Sequence, residues 1–108
     1  MAQNFRRFAV QATNSAGTVF TSNSFDTVIG IRIANITAAA ITIDVFVSVG
    51  GSTTRYIVKD LSVPPASSVE LVQGGAKFVM ESSDVLKVQS SAANSADVYV
   101  SVVDSIST

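Results

Sequence analysis

The chain contains no cysteine, no histidine and no tryptophan in its 108 residues, and each absence removes a kind of chemistry. Without cysteine there are no disulfides and no thiolate nucleophile, so an oxidising compartment leaves no signature. Without histidine, the usual zinc sites and the commonest general base are missing together. Charge is scarce too. Asp, Glu, Lys and Arg make up 14% of the residues and leave a net charge of −1, where about twice that share is ordinary. The seven basic residues are scattered from Arg6 to Lys87 and form no stripe that would neutralise a run of phosphates, which argues against nucleic-acid binding. No apolar run approaches the ~20 residues of a membrane helix, because Thr, Asp, Arg or Ser keeps interrupting. The opening Met1-Ala2-Gln3-Asn4-Phe5-Arg6-Arg7 has two arginines without the apolar stretch that a secretory signal places behind them. A soluble protein made in the cytoplasm, with no membrane partner, is expected.

Hydroxyls replace the missing charge: Ser and Thr supply roughly a quarter of the chain. Apolar residues make up 47%, enough for one core at this length, so a single domain over 1–108 is expected. The clearest pattern is the period of two in Ile41-Thr42-Ile43-Asp44-Val45-Phe46-Val47-Ser48-Val49, which is that of a half-buried strand. A helix would spread these stiff β-branched side chains around its whole circumference. Thr27 to Ala34 repeats the device with Ile29, Ile31 and Ile33 on one face, and these two strands are predicted to form the core pair. Gly50-Gly51 reads as a hairpin tip, with Arg55 to Lys59 returning. Pro64-Pro65 removes two backbone donors, so Leu61 to Ser68 is expected to be a crossing connection. Val69 to Val72, closed by Gly74-Gly75, then Lys77 to Met80, Val85 to Gln89 and Ala96 to Val102 complete the pattern, with Phe8 to Gln11 and Thr18 to Thr21 in front. The reading is an all-β antiparallel β-sandwich of about eight or nine strands, immunoglobulin-like or jelly-roll in type.

The candidate catalytic residues have simpler uses. Glu81 and Asp84 flank Ser82-Ser83 and are expected to bond turn amides. Asp26, Asp44, Asp60, Asp97 and Asp104 sit singly, as solvated edges, and no loop spaces its acids as a calcium site requires. A serine nucleophile would have to borrow a lysine, as in Ser83 with Lys87, without the strand-to-helix elbow that such chemistry uses. Neither glycine pair opens a helix, so neither cradles a phosphate. Asn35-Ile36-Thr37 matches a glycosylation sequon in a chain without a secretion signal. No catalytic, cofactor-binding or metal-binding residue is predicted, and no enzyme activity. Phe5-Arg6-Arg7-Phe8 stands apart, because aromatic and arginine side chains concentrate where proteins bind proteins. These four are the candidate protein-contact residues, and residues 1–8 are read as either an interaction arm or an edge strand.

The opening Met1 to Arg7, Val28-Ile29-Gly30-Ile31-Arg32-Ile33-Ala34-Asn35, Tyr56-Ile57-Val58-Lys59-Asp60, the paired prolines, Ser67 to Leu71 and Ser83 to Ser91 together resemble small virion structural proteins of tailed phages, cyanophages among them. Such proteins include capsid decoration or cement proteins and small tail, neck and baseplate components. The resemblance implies a multicopy decoration protein located in the virion, in contact with the major capsid protein or other virion proteins and forming homo-oligomers. A tail, neck or baseplate part is the alternative. A module binding host-surface carbohydrate is a third reading, weakened by the absence of tryptophan for stacking on sugar rings.

Overall fold

The computed structural model of the chain describes residues 4–22, 25–72 and 77–104. These residues form nine strands and no helix: β1 (Asn4–Ala12), β2 (Gly17–Thr21), β3 (Asp26–Asn35), β4 (Ile41–Val49), β5 (Thr53–Val63), β6 (Ser68–Glu70), β7 (Phe78–Met80), β8 (Val85–Ser90) and β9 (Ala96–Asp104). One antiparallel sheet runs β1-β9-β3-β6, with β7 also paired to β3, and the other runs β2-β8-β4-β5. Pairing is nested about the middle of the chain: β4 with β5, β3 with β6 and β7, β2 with β8, and β1 with β9. A long hairpin turned at Gly50-Gly51 and wrapped over itself produces this order. Of the two sandwich types expected, it is the jelly roll.

The inner faces supply the core, in which Ile31, Ile33, Ile43, Val45, Leu86 and Val100 are almost wholly buried. Several local readings change once the chain is folded. β3 and β4 are not hydrogen-bonded neighbours; they are interior strands of opposite sheets. Connection 36–40 crosses between the sheets. Along β3 the register slips between Val28 and Gly30. That bulge turns Val28 inward with Ile31 and Ile33 and leaves Ile29 half-buried. A slip between Thr18 and Phe20 likewise accounts for the consecutive burial of Val19 and Phe20. Val49, apolar and in phase with the inward residues of β4, lies at the hairpin tip and is exposed.

β5 continues through Leu61 to Val63, so the crossing connection is confined to 64–67. Being an outer strand, β5 can stop at a proline without breaking an interior ladder. Gly74 and Gly75 lie outside the described residues. β6 and β7 nonetheless pair antiparallel with the same strand and so run in the same direction. They are two segments of one edge, not the arms of a hairpin.

Candidate functional site

The four candidate contact residues lie on β1, which among the described residues has a hydrogen-bonded neighbour strand on one side only. Strand alternation and the register against β9 divide them between two faces. Phe5 and Arg7, opposite Val103 and Ser101, point away from the second sheet, whereas Arg6 and Phe8, opposite the buried Val102 and Val100, point towards it. The Phe8 ring stacks on Phe20 at 4.3 Å between centroids and 6° between planes, closing the corner between the sheets. The Arg6 guanidinium lies 5.1 Å from the centre of the Phe8 ring, within the range of a cation–π contact. Phe5 is 78% exposed.

The outer row that begins at Phe5 continues across the sheet through Val103 and Thr27 to Val79, which is 63% exposed. Val79 was not singled out in the sequence because its neighbours Phe78 and Met80 are apolar as well, which hides the alternation. The next rows are more polar, and one of them places Ala9, Tyr99, Arg32 and Glu70 side by side.

Three of the carboxylates, those of Asp44, Glu70 and Asp84, hold backbone amides. Asp84 accepts from the amide of Glu81 at 3.0 Å, as expected of a turn residue, and also from the amide of Gly50 at 2.8 Å, which pins the central hairpin tip to the β7–β8 turn. Glu70 accepts from the amides of Ile31 and Val72 at 2.7 and 3.2 Å, and its Oε1 is 3.9 Å from the Arg32 Nε. Asp44 accepts from the amide of Asp60 at 2.7 Å where β5 bulges. Asp44 and then Asp60 hold the Lys59 ammonium above its ordinary pKa of 10.5. Asp26 corrects the expectation of solvated edges: it is buried and accepts from the Ser22 hydroxyl at 2.7 Å. Among the described residues no group of three or more His, Cys, Asp or Glu side chains could hold a metal ion. The sequon Asn35 is buried with its amide engaged, so its nitrogen is closed to a glycan in the folded chain.

The two ends of the sandwich differ in character. Connections 13–16, 36–40, 64–67 and 91–95 are tied together at one end by backbone bonds such as Asn35 to Ser67, Ile36 to Ser95 and Ser90 to Thr13. None of these connections contains a charged residue, and alanine, proline and Ile36 make up much of them. Ile36 is half exposed, and Ala38, Ala39, Ala40, Pro64, Pro65 and Ala66 are exposed. The opposite end carries Glu81 and Asp84 at the β7–β8 turn. The neutral end is invisible in sequence because its residues come from four separate stretches.

A jelly-roll β-sandwich is a fold that hosts many functions and by itself defines no reaction. No family model matches the chain, and no curated protein matches it in sequence. Solved structures do share its fold. A chain of the acid-stable capsid of Helicobacter pylori bacteriophage KHP30 is similar with a TM-score of 0.60 at 9% identity, over 95% of this chain and 87% of that one. A subunit of the Bacillus endospore appendages, described as disulfide-linked pili, gives 0.56 at 17% identity, over 98% and 88%. A pentameric capsid protein from metagenomic phage sequences gives 0.50 at 21% identity, over 92% of this chain and 60% of that one. The fold is therefore one found in viral capsid proteins and in a pilus.

Proposed function

We propose that this protein is a structural component of a phage virion and, within that class, a decoration protein that braces the outside of the capsid by protein–protein contacts. The observation that carries the reading is the nested jelly-roll order, β1-β9-β3-β6 against β2-β8-β4-β5, in a fold similar over 95% of this chain to that of a phage capsid chain. The use of Asp44, Glu70 and Asp84 on backbone amides supports it, as does the neutral end, where apolar contact with another protein requires no desolvation of charge. The mechanism is linkage: a protein that binds the assembled shell and not its dissociated parts stabilises the shell by mass action, and many copies make weak individual contacts sufficient. The contact surfaces in this reading are the amino-terminal strand, through Phe5 and Arg7, and the neutral end, through Ala38 and Ala39.

Quantifying copies per purified particle tests the proposal, and a decorator is present in hundreds. Phe5→Ser and Ala39→Asp, both at exposed positions, are expected to reduce particle occupancy while leaving the unfolding midpoint unchanged. About a dozen copies per particle would move the protein to the tail, neck or baseplate. Absence from particles would end the virion reading.

The pilus similarity favours a second reading, a subunit of a filament. Without cysteine any such filament would be held without disulfides, unlike the disulfide-linked pili. Electron microscopy of the purified chain distinguishes the two, since a filament subunit polymerises alone.

A further inference from the structure

A sheet edge is a row of unpaired amides and carbonyls, and natural sheets blunt their edges with bulges, short strands, proline or charge. Three of the four edges here are blunted. β5 has two register slips, a positive φ of 54° at Asp60, and Lys59 on its length. β2 has five residues and a slip of its own. β6 and β7 have three residues each. β1 is different. Its nine residues keep one register from Asn4 opposite Asp104 to Ala12 opposite Ala96, without a bulge, proline or glycine. β1 carries charge as β5 does, with Arg7 facing outward and the inward Arg6 over the ring of Phe8, so what sets it apart is its length and unbroken register.

We infer that β1 is the site of strand pairing with a second copy of this chain, antiparallel about a two-fold axis at Phe8, joining the two β1-containing sheets into one. Electrostatics and length select this register. Centring on Phe8 pairs all nine residues and sets Arg7 opposite Ala9 of the second copy, Arg6 opposite Val10, and Phe5 opposite Gln11. Centring on Arg7 or Arg6 would put arginine against arginine, and like charges directly opposite are destabilising. Centring on Ala9 shortens the ladder. Because paired residues share a face, both copies keep their second sheets on the same side, and the exposed Phe5 gains cover on the outer face. A charged peptide partner is less favoured, since the strand offers cations at one end only.

The inference deepens the multicopy reading by naming a partner surface, but it rests on the edge geometry and is tested on the isolated protein. Sedimentation equilibrium of the full chain at low salt is expected to show a monomer–dimer equilibrium. Ala9→Glu, which sets a carboxylate across from Arg7 twice per dimer, should tighten it by about three- to tenfold, and Ala9→Lys should weaken it by a similar factor. Ala9 is exposed, so neither change threatens folding. The chain is naturally free of cysteine, which allows a direct test of register. Mixing Arg7→Cys with Ala9→Cys under oxidation should yield disulfide-linked heterodimers in excess over homodimers of either. A protein that stays monomeric up to its solubility limit, a dimer indifferent to the sign of charge at position 9, or cross-links without heterodimer preference would each overturn the inference. Particle occupancy is measured separately, so loss of the dimer and loss of the virion reading are distinguishable.

Discussion

At the scale of single residues, the neutral side chain of Asn35 ties separate parts of the fold together. Its Nδ2 donates to the carbonyls of Ala39, Val63 and Pro64 at 2.8, 3.1 and 3.2 Å, and its Oδ1 accepts from the amide and hydroxyl of Thr37 at 2.9 and 2.7 Å. One buried side chain thus joins the β3–β4 crossing to the end of β5. Replacing it by alanine strands several polar groups at a buried position, and Asn35→Ala is expected to destabilise the protein by roughly 2–3 kcal/mol in chemical denaturation. Asn35→Asp should do no better, because an acceptor would then face three carbonyls. A loss below about 0.5 kcal/mol would show that water takes over the role. Ser90 and Ser95 form a buried hydroxyl pair, with Ser95 Oγ also donating to the Ala92 carbonyl at 2.8 Å. In a chain so poor in charge, neutral amides and hydroxyls share the bracing work with the carboxylates of Asp44, Glu70 and Asp84.

At the scale of elements, the turns carry the local strain and the slips in register set the faces. Gly50 and Gly51 have φ of +63° and +79°, and the amide of Ser52 closes the tip by donating to the Val49 carbonyl at 3.2 Å. A Cβ at Gly50 would meet nothing within 4 Å, so substitution there is strained by conformation alone. Gly50→Ala should therefore cost about 1–2 kcal/mol. Ala66 shows the reverse case, a residue with a Cβ held at φ +54° directly after the prolines in the 64–67 crossing. Ala66→Gly relieves that strain and loses part of the gain to unfolded-chain entropy, for a net stabilisation of about 0.5–1 kcal/mol. Thermal or urea unfolding of the pair checks both signs, and opposite shifts are expected from what is nominally one exchange made in two directions.

At the scale of the molecule, the nested pairing means that the first strand closes against the last. Phe5 pairs with Val103 and Gln11 with Asp97, so the ladder that completes the sheet joins residues from opposite ends of the chain. Only the central β4–β5 hairpin is local. Entropy of loop closure must be met before such contacts form, and refolding is expected to take roughly milliseconds to seconds, as in other topologies dominated by distant pairings. Stopped-flow tyrosine fluorescence reads this directly, since Tyr56 and Tyr99 have no tryptophan to mask them. Microsecond refolding would contradict it. The same topology gathers four distant connections into one uncharged end and leaves β1 on the rim, the two surfaces on which the proposed assembly depends.

The sequence by itself determined the strand content, because alternation of β-branched residues with Thr, Ser and Asp specifies a half-buried sheet whatever its neighbours are. It also showed which chemistry was missing, since a residue type that is absent cannot be restored by folding. Ile41 to Val47 and Ala96 to Val102 were legible for this reason, as was the turn role of Asp84. Tertiary structure alone decided that β3 and β4 belong to different sheets, that Ile29 yields its inward place to Val28, and that Asp26 is buried. The physical reason is range. Alternation is written in neighbouring residues, whereas sheet order, bulge position and the exposure of an edge depend on partners dozens of residues away. Phe5 to Phe8 shows both sides: composition marked the segment as a contact candidate, and only the pairing of β1 with β9 turned Phe8 towards Phe20 and left Phe5 facing outward.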